Sequence, residues 1–136
     1  MSADATDPGP EEAAPRVLIV EDDRDVITLL VEILSHEGFE PIVAADGLEG
    51  LLKIQTGQPD LALLDIMMPD INGVRVLEQL LEEGAGELPV PIIVMTGSPE
   101  GAARSRQLLG RDRVFEKPFD PDHLIQRIRS LLPTRS

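Results

Sequence analysis

The sequence predicts an α/β protein: a doubly wound, five-stranded parallel sheet with helices on both faces. Five β-rich apolar runs alternate strictly with five helix-spaced apolar patterns along the chain. The strand runs are continuous and rich in Val, Ile and Leu, as strands covered on both sides must be. Five such units are too few for an eight-stranded barrel, which leaves an open sheet. With 136 residues, 42% of them apolar, the chain suits one domain with an ordinary core.

Residues 1–15 lack periodicity and combine Pro, Gly and Ala with Asp4, Asp7, Glu11 and Glu12. Such a segment buries too little apolar area to offset its ordering entropy, so it is expected to be a disordered acidic leader. The folded domain is expected over 16–133, with a short tail at 134–136. Val17 to Val20 reads as a buried strand that stops at Glu21, Asp22 and Asp23. Val26, Ile27, Leu30, Ile33 and Leu34 then mark one face of a helix ending near Gly38. Pro41 to Ala44 forms a short strand and Leu48 to Ile54 a short helix. Leu61 to Leu64 is a second continuous buried run, followed at once by Asp65. After a loop from Met67 to Gly73, Val74, Leu77, Leu80 and Leu81 give a helix to about Gly84. Pro91 to Met95 is the fourth strand and Ala102 to Leu109 the fourth helix. Arg113 to Phe115 is a short fifth strand, and Leu124, Ile125, Ile128, Leu131 and Leu132 mark the fifth helix.

Composition narrows the function. The net charge of −13 disfavours binding to phosphate backbones, and three Phe with no Trp or Tyr leave little material for stacking on bases. With no cysteine there can be no disulfide scaffold, zinc–thiolate site, iron–sulfur cluster or thiol nucleophile. The leader is the reverse of a basic, then apolar, secretory signal. No apolar run approaches the roughly 20 residues that span a bilayer. A cytoplasmic protein without direct nucleic-acid or membrane contact is therefore the expectation.

In open α/β sheets ligands sit beyond the carboxyl ends of the strands. Those ends carry Glu21 and Asp22 after the first strand, Asp65 after the third, Thr96 after the fourth and Lys117 after the fifth. Three carboxylates drawn together repel unless a cation joins them. Oxygen donors without His or Cys select a hard ion, Mg²⁺ with Mn²⁺ as its substitute, which typically keeps several waters and shares a phosphate. Lys117 and the Thr96 hydroxyl suit that phosphate. Asp65, emerging alone from the central strand, is placed to be a carboxylate nucleophile that forms an acyl phosphate.

The segments Val17-Leu-Ile-Val-Glu-Asp-Asp23, Leu63-Leu-Asp-Ile-Met-Met-Pro-Asp-Ile-Asn-Gly73, Ile92-Ile-Val-Met-Thr-Gly97 and Phe115-Glu-Lys-Pro-Phe119 resemble those of two-component response regulator receiver domains. The resemblance spans about residues 16–132 and is specific in combination: four motifs in order, with Thr96 31 and Lys117 52 residues after Asp65. It implies a flavodoxin-like strand order 2-1-3-4-5. It also implies Asp65 as phosphoacceptor, Asp22 as a direct Mg²⁺ ligand, Glu21 acting on the ion through water and the Met67 main-chain carbonyl completing the protein's share. Thr96 and Lys117 would contact the phosphoryl group, and the Lys117–Pro118 bond would be cis. The phosphoryl donor would be a histidine kinase or a histidine phosphotransfer protein.

One position departs from the family. Three residues before the lysine, where receivers usually carry an aromatic switch residue, stands Val114. A valine has few χ1 states and cannot sweep a ring between buried and exposed sites. Phe115 is adjacent but faces the other side of the strand. A phosphorylation-independent interaction scaffold is thus one alternative. A Mg²⁺-dependent aspartyl-phosphate phosphatase is another, though such enzymes commonly carry a second acid two positions after the nucleophile, where this chain has Met67. As a receiver, by contrast, the module would be no enzyme toward other substrates and would catalyse only its own modification and its reversal.

The remaining candidates read as structural. Asp23 reads as a helix cap, Asp70 and Asn72 as turn or cap residues, and Met68, Pro69 and Gly73 as shaping their loop. His36 and His123 fall in helices away from the rim, as solvated or packing residues. Met67 and Ser98 flank the site and could tune water access. From Ala103 onward eight basic residues face four acids, against four basic and 21 acidic residues elsewhere. The fourth helix, fifth strand and fifth helix are therefore a candidate face for a dimer or an effector protein. Only about three residues follow the last helix, so a stand-alone or excised receiver without an effector domain is expected.

Overall fold

The apolar run beginning at Arg16 builds β1 (Arg16–Val20), and four later runs join it in a single parallel sheet. In the computed structural model, which describes residues 13–56 and 58–132, these are β2 (Glu40–Ala44), β3 (Leu61–Asp65), β4 (Ile92–Thr96) and β5 (Val114–Glu116). Their order is β2-β1-β3-β4-β5, all neighbours parallel. Between them run α1 (Arg24–His36), α2 (Gly47–Gln55), α3 (Gly73–Glu83), α4 (Pro99–Leu109) and, after β5, α5 (Pro121–Leu131). This is the doubly wound sheet and strand order expected. Residues 1–12 of the leader and the tail 134–136 lie outside the described residues. The Glu40 N–H donates to the Pro15 carbonyl at 2.8 Å, so the sheet's bonding starts one residue before Arg16.

Strand alternation divides the core in two. Leu18, Val20, Ala62, Leu64, Ile92 and Val94 pack with Ile54, Leu77, Leu80 and Ala102 beneath α2, α3 and α4. Val17, Ile19, Leu61, Leu63, Ile93 and Met95 pack with Leu30, Leu34, Leu124 and Ile128 beneath α1 and α5. β3 and β4 are buried at every residue. β2 lies at the edge, which is where a strand can hold Pro41.

Each helix starts at a side-chain cap just past the carboxyl rim. Asp23, Asp46, Asn72, Ser98 and Asp120 accept N–H donors of the first turns of α1 to α5, respectively. Such a cap contributes typically about 1 kcal/mol. The caps explain where the observed boundaries differ from apolar periodicity. α4 begins at Pro99 rather than Ala102, and α5 at Pro121 rather than Leu124, because Ser98 and Asp120 cap them and proline suits the first helical position. Arg113 is not in the fifth strand: it closes a 3₁₀ turn, Arg111–Arg113, and the strand begins at Val114. No helix among the described residues is long and apolar enough to cross a membrane.

Candidate functional site

Parallel strands put all their carboxyl ends on one rim, so residues remote in sequence meet there. Glu21 follows β1, Asp65 ends β3, Thr96 ends β4 and Lys117 follows β5. Among the described residues, Glu21, Asp22 and Asp65 offer carboxylate oxygens that all lie within 4.8 Å of one another. The sequence therefore identified a real cluster, but its members differ. Glu21 is fully buried and Asp65 4% exposed, whereas Asp22 is exposed.

Lys117 spans the cluster. Its Nζ donates to Glu21 Oε1 at 2.8 Å and to Asp65 Oδ2 at 3.3 Å. Asp65 Oδ1 accepts the Met67 N–H at 2.8 Å, and Glu21 Oε2 accepts the Asp23 N–H at 3.1 Å. A carboxylate offers about four lone-pair sites, so Asp65 retains acceptor capacity beyond these two bonds. Burial pushes the Glu21 carboxyl above its ordinary value, with Asp65 adding to the rise and Lys117 opposing it. Burial alone would lower the Lys117 ammonium, but its bonds to Glu21 and Asp65 outweigh that and hold it above its ordinary value. Three carboxylates against one ammonium leave negative charge uncancelled. Hard oxygen donors in excess of local positive charge fit a divalent ion of the Mg²⁺ type.

Thr96 is fully buried, and its Oγ1 accepts the Ser98 N–H at 3.0 Å. Ser98 in turn caps α4 by accepting the Gly101 N–H at 3.0 Å. The Lys117–Pro118 bond is cis. Met67 points outward beside the site, 61% exposed. Val114 is buried on the α2–α4 side of the sheet and Phe115 on the opposite side. The Phe115 ring meets the edges of Phe119 and His123, at centroid separations of 6.3 and 5.2 Å. Both histidines are exposed: His123 lays its ring against Phe115, and His36 stands beside Glu37.

Asp70, read from the sequence as a turn or cap residue, does cap a helix, but a distant one rather than the helix that follows it. Its Oδ1 and Oδ2 accept the N–H groups of Gly47 and Leu48, at 3.0 and 3.1 Å, capping α2 from the loop after β3. Those backbone bonds hold its carboxyl below the usual aspartate range. No local pattern announces a partner 23 residues away.

The positive face is more self-satisfied than its composition implies. Arg104 pairs with Glu78 at 2.6 Å, Arg106 with Glu116 at 2.7 Å and Arg129 with Glu37 at 2.8 Å. Arg135 lies outside the described residues.

Comparison with known proteins assigns the chain to a family. The family model for the response regulator receiver domain matches residues 17–129. The chain belongs to that family, and so is a signalling domain of the two-component type. It is 40% identical over 120 residues to the transcriptional regulatory protein CpxR of Escherichia coli (strain K12), covering 86% of this chain and 49% of that protein. It is 36% identical over 118 residues to the alkaline phosphatase synthesis transcriptional regulatory protein PhoP of Bacillus subtilis (strain 168), covering 86% and 48%. The chain thus spans about half the length of these curated relatives. Among solved structures, a CheY-like receiver domain protein from Methanospirillum hungatei JF-1 superposes with a TM-score of 0.71 at 35% identity, covering 86% of this chain and 92% of that one.

Proposed function

We propose that the chain is a phosphoacceptor module that takes a phosphoryl group onto Asp65 from the phosphohistidine of a histidine kinase or histidine phosphotransfer protein. The observation that supports this most is the meeting of Asp65 Oδ2 with the Lys117 ammonium at 3.3 Å, within a cluster of three carboxylates from the ends of two strands, β1 and β3. Asp65 would attack phosphorus through a carboxylate oxygen, forming an O–P bond as the N–P bond to the donor imidazole breaks. The imidazole leaves with the bonding pair and takes up a proton. Asp22, Asp65 and the Met67 carbonyl, with Glu21 behind them, would hold Mg²⁺, which supplies charge to the transferring oxygens. Lys117 would shift from Glu21 toward the phosphoryl oxygens, neutralising part of the added charge. The Thr96 hydroxyl would turn from the Ser98 N–H to the same oxygens.

With Val114 in place of a mobile ring, the signal would leave through this last exchange. Releasing the Ser98 N–H perturbs the cap of α4, and so the loop and helix rather than an aromatic rotamer. The face of α4, β5 and α5 is the proposed surface for a dimer or effector protein. Direct nucleic-acid binding by this chain is disfavoured by its net charge of −13. Turnover of small phosphorylated substrates is disfavoured by apolar Met67 two residues after the nucleophile.

Incubation with acetyl phosphate and Mg²⁺, followed by intact-protein mass spectrometry, tests the reading. One phosphoryl group should be added to the wild type and none to Asp65→Asn. Modification of Asp65→Asn at the wild-type level would exclude Asp65 as the acceptor.

A further inference from the structure

We propose that Asp70 is a positioning residue for the metal and phosphoryl site, a clamp that fixes the loop carrying Met67 by tying it to the start of α2. This rests on the assignment of Asp65 and its neighbours as that site. The clamp has two parts. Both carboxylate oxygens of Asp70 are engaged, one on the Gly47 N–H at 3.0 Å and one on the Leu48 N–H at 3.1 Å. Beside them, Ile71 fills the space that a side chain at position 47 would need: a Cβ on Gly47 would collide with the Ile71 side chain. The α2 cap of its own segment, Asp46, reaches only the Glu49 N–H, at 2.8 Å. Two of the three capped donors of α2 are therefore satisfied from the loop between β3 and α3.

The same loop is held at its far end by a close backbone approach. The Gly73 N–H donates to the Ile66 carbonyl at 3.4 Å, and a Cβ on Gly73 would lie 2.5 Å from Ile66 Cα. Between these anchors sits Met67, whose N–H orients Asp65 Oδ1 and whose carbonyl is the proposed metal ligand. An ionised carboxylate accepting two N–H groups is a strong tether. Ligand geometry tolerates little slack, because groups behind metal ligands set their orientation. Asp70 touches none of the reacting atoms. It acts through the position of Met67.

Asp46→Ala separates a tether from a mere helix cap, since it weakens the same helix start without freeing the loop. Wild type, Asp70→Ala, Asp70→Asn and Asp46→Ala are titrated with MgCl₂ by calorimetry, and their melting temperatures are measured in EDTA. Asp70→Ala should bind Mg²⁺ about tenfold more weakly, the low end of what losing a support behind a ligand costs. Asp70→Asn, which keeps one oxygen acceptor, should fall between, and remains informative if Asp70→Ala does not fold. Asp46→Ala should melt lower in EDTA yet bind Mg²⁺ as the wild type does. Equal Mg²⁺ affinity in the wild type and the Asp70 variants would overturn the clamp while leaving the site assignment standing. So would an equal loss in Asp46→Ala. A wild type that binds no Mg²⁺ would overturn the site assignment and the clamp with it.

Discussion

Leu63 and Asp65 lie two residues apart on β3 and are nearly equally withdrawn from solvent, at 0% and 4% exposure, yet their surroundings are opposite in kind. Leu63 sits in an apolar cluster with Val17, Ile19, Ile93 and Leu30, where burial is favourable. Asp65 sits among Glu21, Asp22, Met67 and Lys117, where burial is tolerated only because each oxygen has a donor. The sheet interior therefore supplies stability, and the rim holds charge that stability alone would not select. Variants on the two sides of that boundary should separate the two properties.

The largest effect on folding is expected inside the sheet. Leu63→Ala should cost about 2–5 kcal/mol, or roughly 10 °C or more in melting temperature for a domain of this size. It should leave phosphorylation by acetyl phosphate intact in the fraction that remains folded, as read by intact mass alongside a thermal melt. Asp65→Asn should behave in the opposite way. Removing one of three crowded carboxylates relieves repulsion, so melting in EDTA should rise by a few degrees while phosphoryl incorporation is lost. A lower melting temperature for Asp65→Asn would mean that the bond to Lys117 outweighs the crowding.

Asp22→Ala divides the rim itself. As the exposed member, Asp22 should matter little to melting in EDTA, but the Mg²⁺-dependent rise should vanish. That rise should reach about 2.7 kcal/mol in the wild type at a hundredfold excess over the dissociation constant. A rise that survives in Asp22→Ala would place the ion elsewhere.

The smallest effect is a pH dependence at Asp70. Its carboxyl is held below the ordinary value of 3.8 by the Gly47 and Leu48 N–H groups, so the folded state binds its proton less readily than the unfolded chain. The stabilisation is therefore complete above that ordinary value and is lost as pH falls through the lowered one. The melting-temperature gap between wild type and Asp70→Ala should be flat at neutral pH and narrow in acid. A gap that stays constant down to pH 2 would show that the carboxylate charge is irrelevant to the tether.

What the sequence disclosed follows the same division. β1 and β3 were legible because a fully buried parallel strand is a continuous apolar run, and both runs stop at acids. The rim residues were legible because parallel topology brings strand ends together, so Glu21, Asp65, Thr96 and Lys117 could be grouped before any distance was known. Helix starts at Pro99 and Pro121 were underestimated because apolar periodicity begins a turn later than the caps at Ser98 and Asp120. The role of Asp70 was hidden for a different reason. Its partners are backbone N–H groups, which carry no residue-type signature, and only the folded chain brings them within 3.1 Å. Pairing of Arg104 and Arg106 was similarly invisible in the charge count.

A crystal grown with Mg²⁺ and beryllofluoride, a mimic of the phosphoryl group, addresses the site most directly. Expected is beryllofluoride bonded to an Asp65 oxygen, with the ion on Asp22, Asp65 and the Met67 carbonyl and with Lys117 Nζ moved from Glu21 to a fluorine. Beryllofluoride absent from Asp65 under conditions that saturate the protein with Mg²⁺, or an ion bound away from Asp22, would contradict the account.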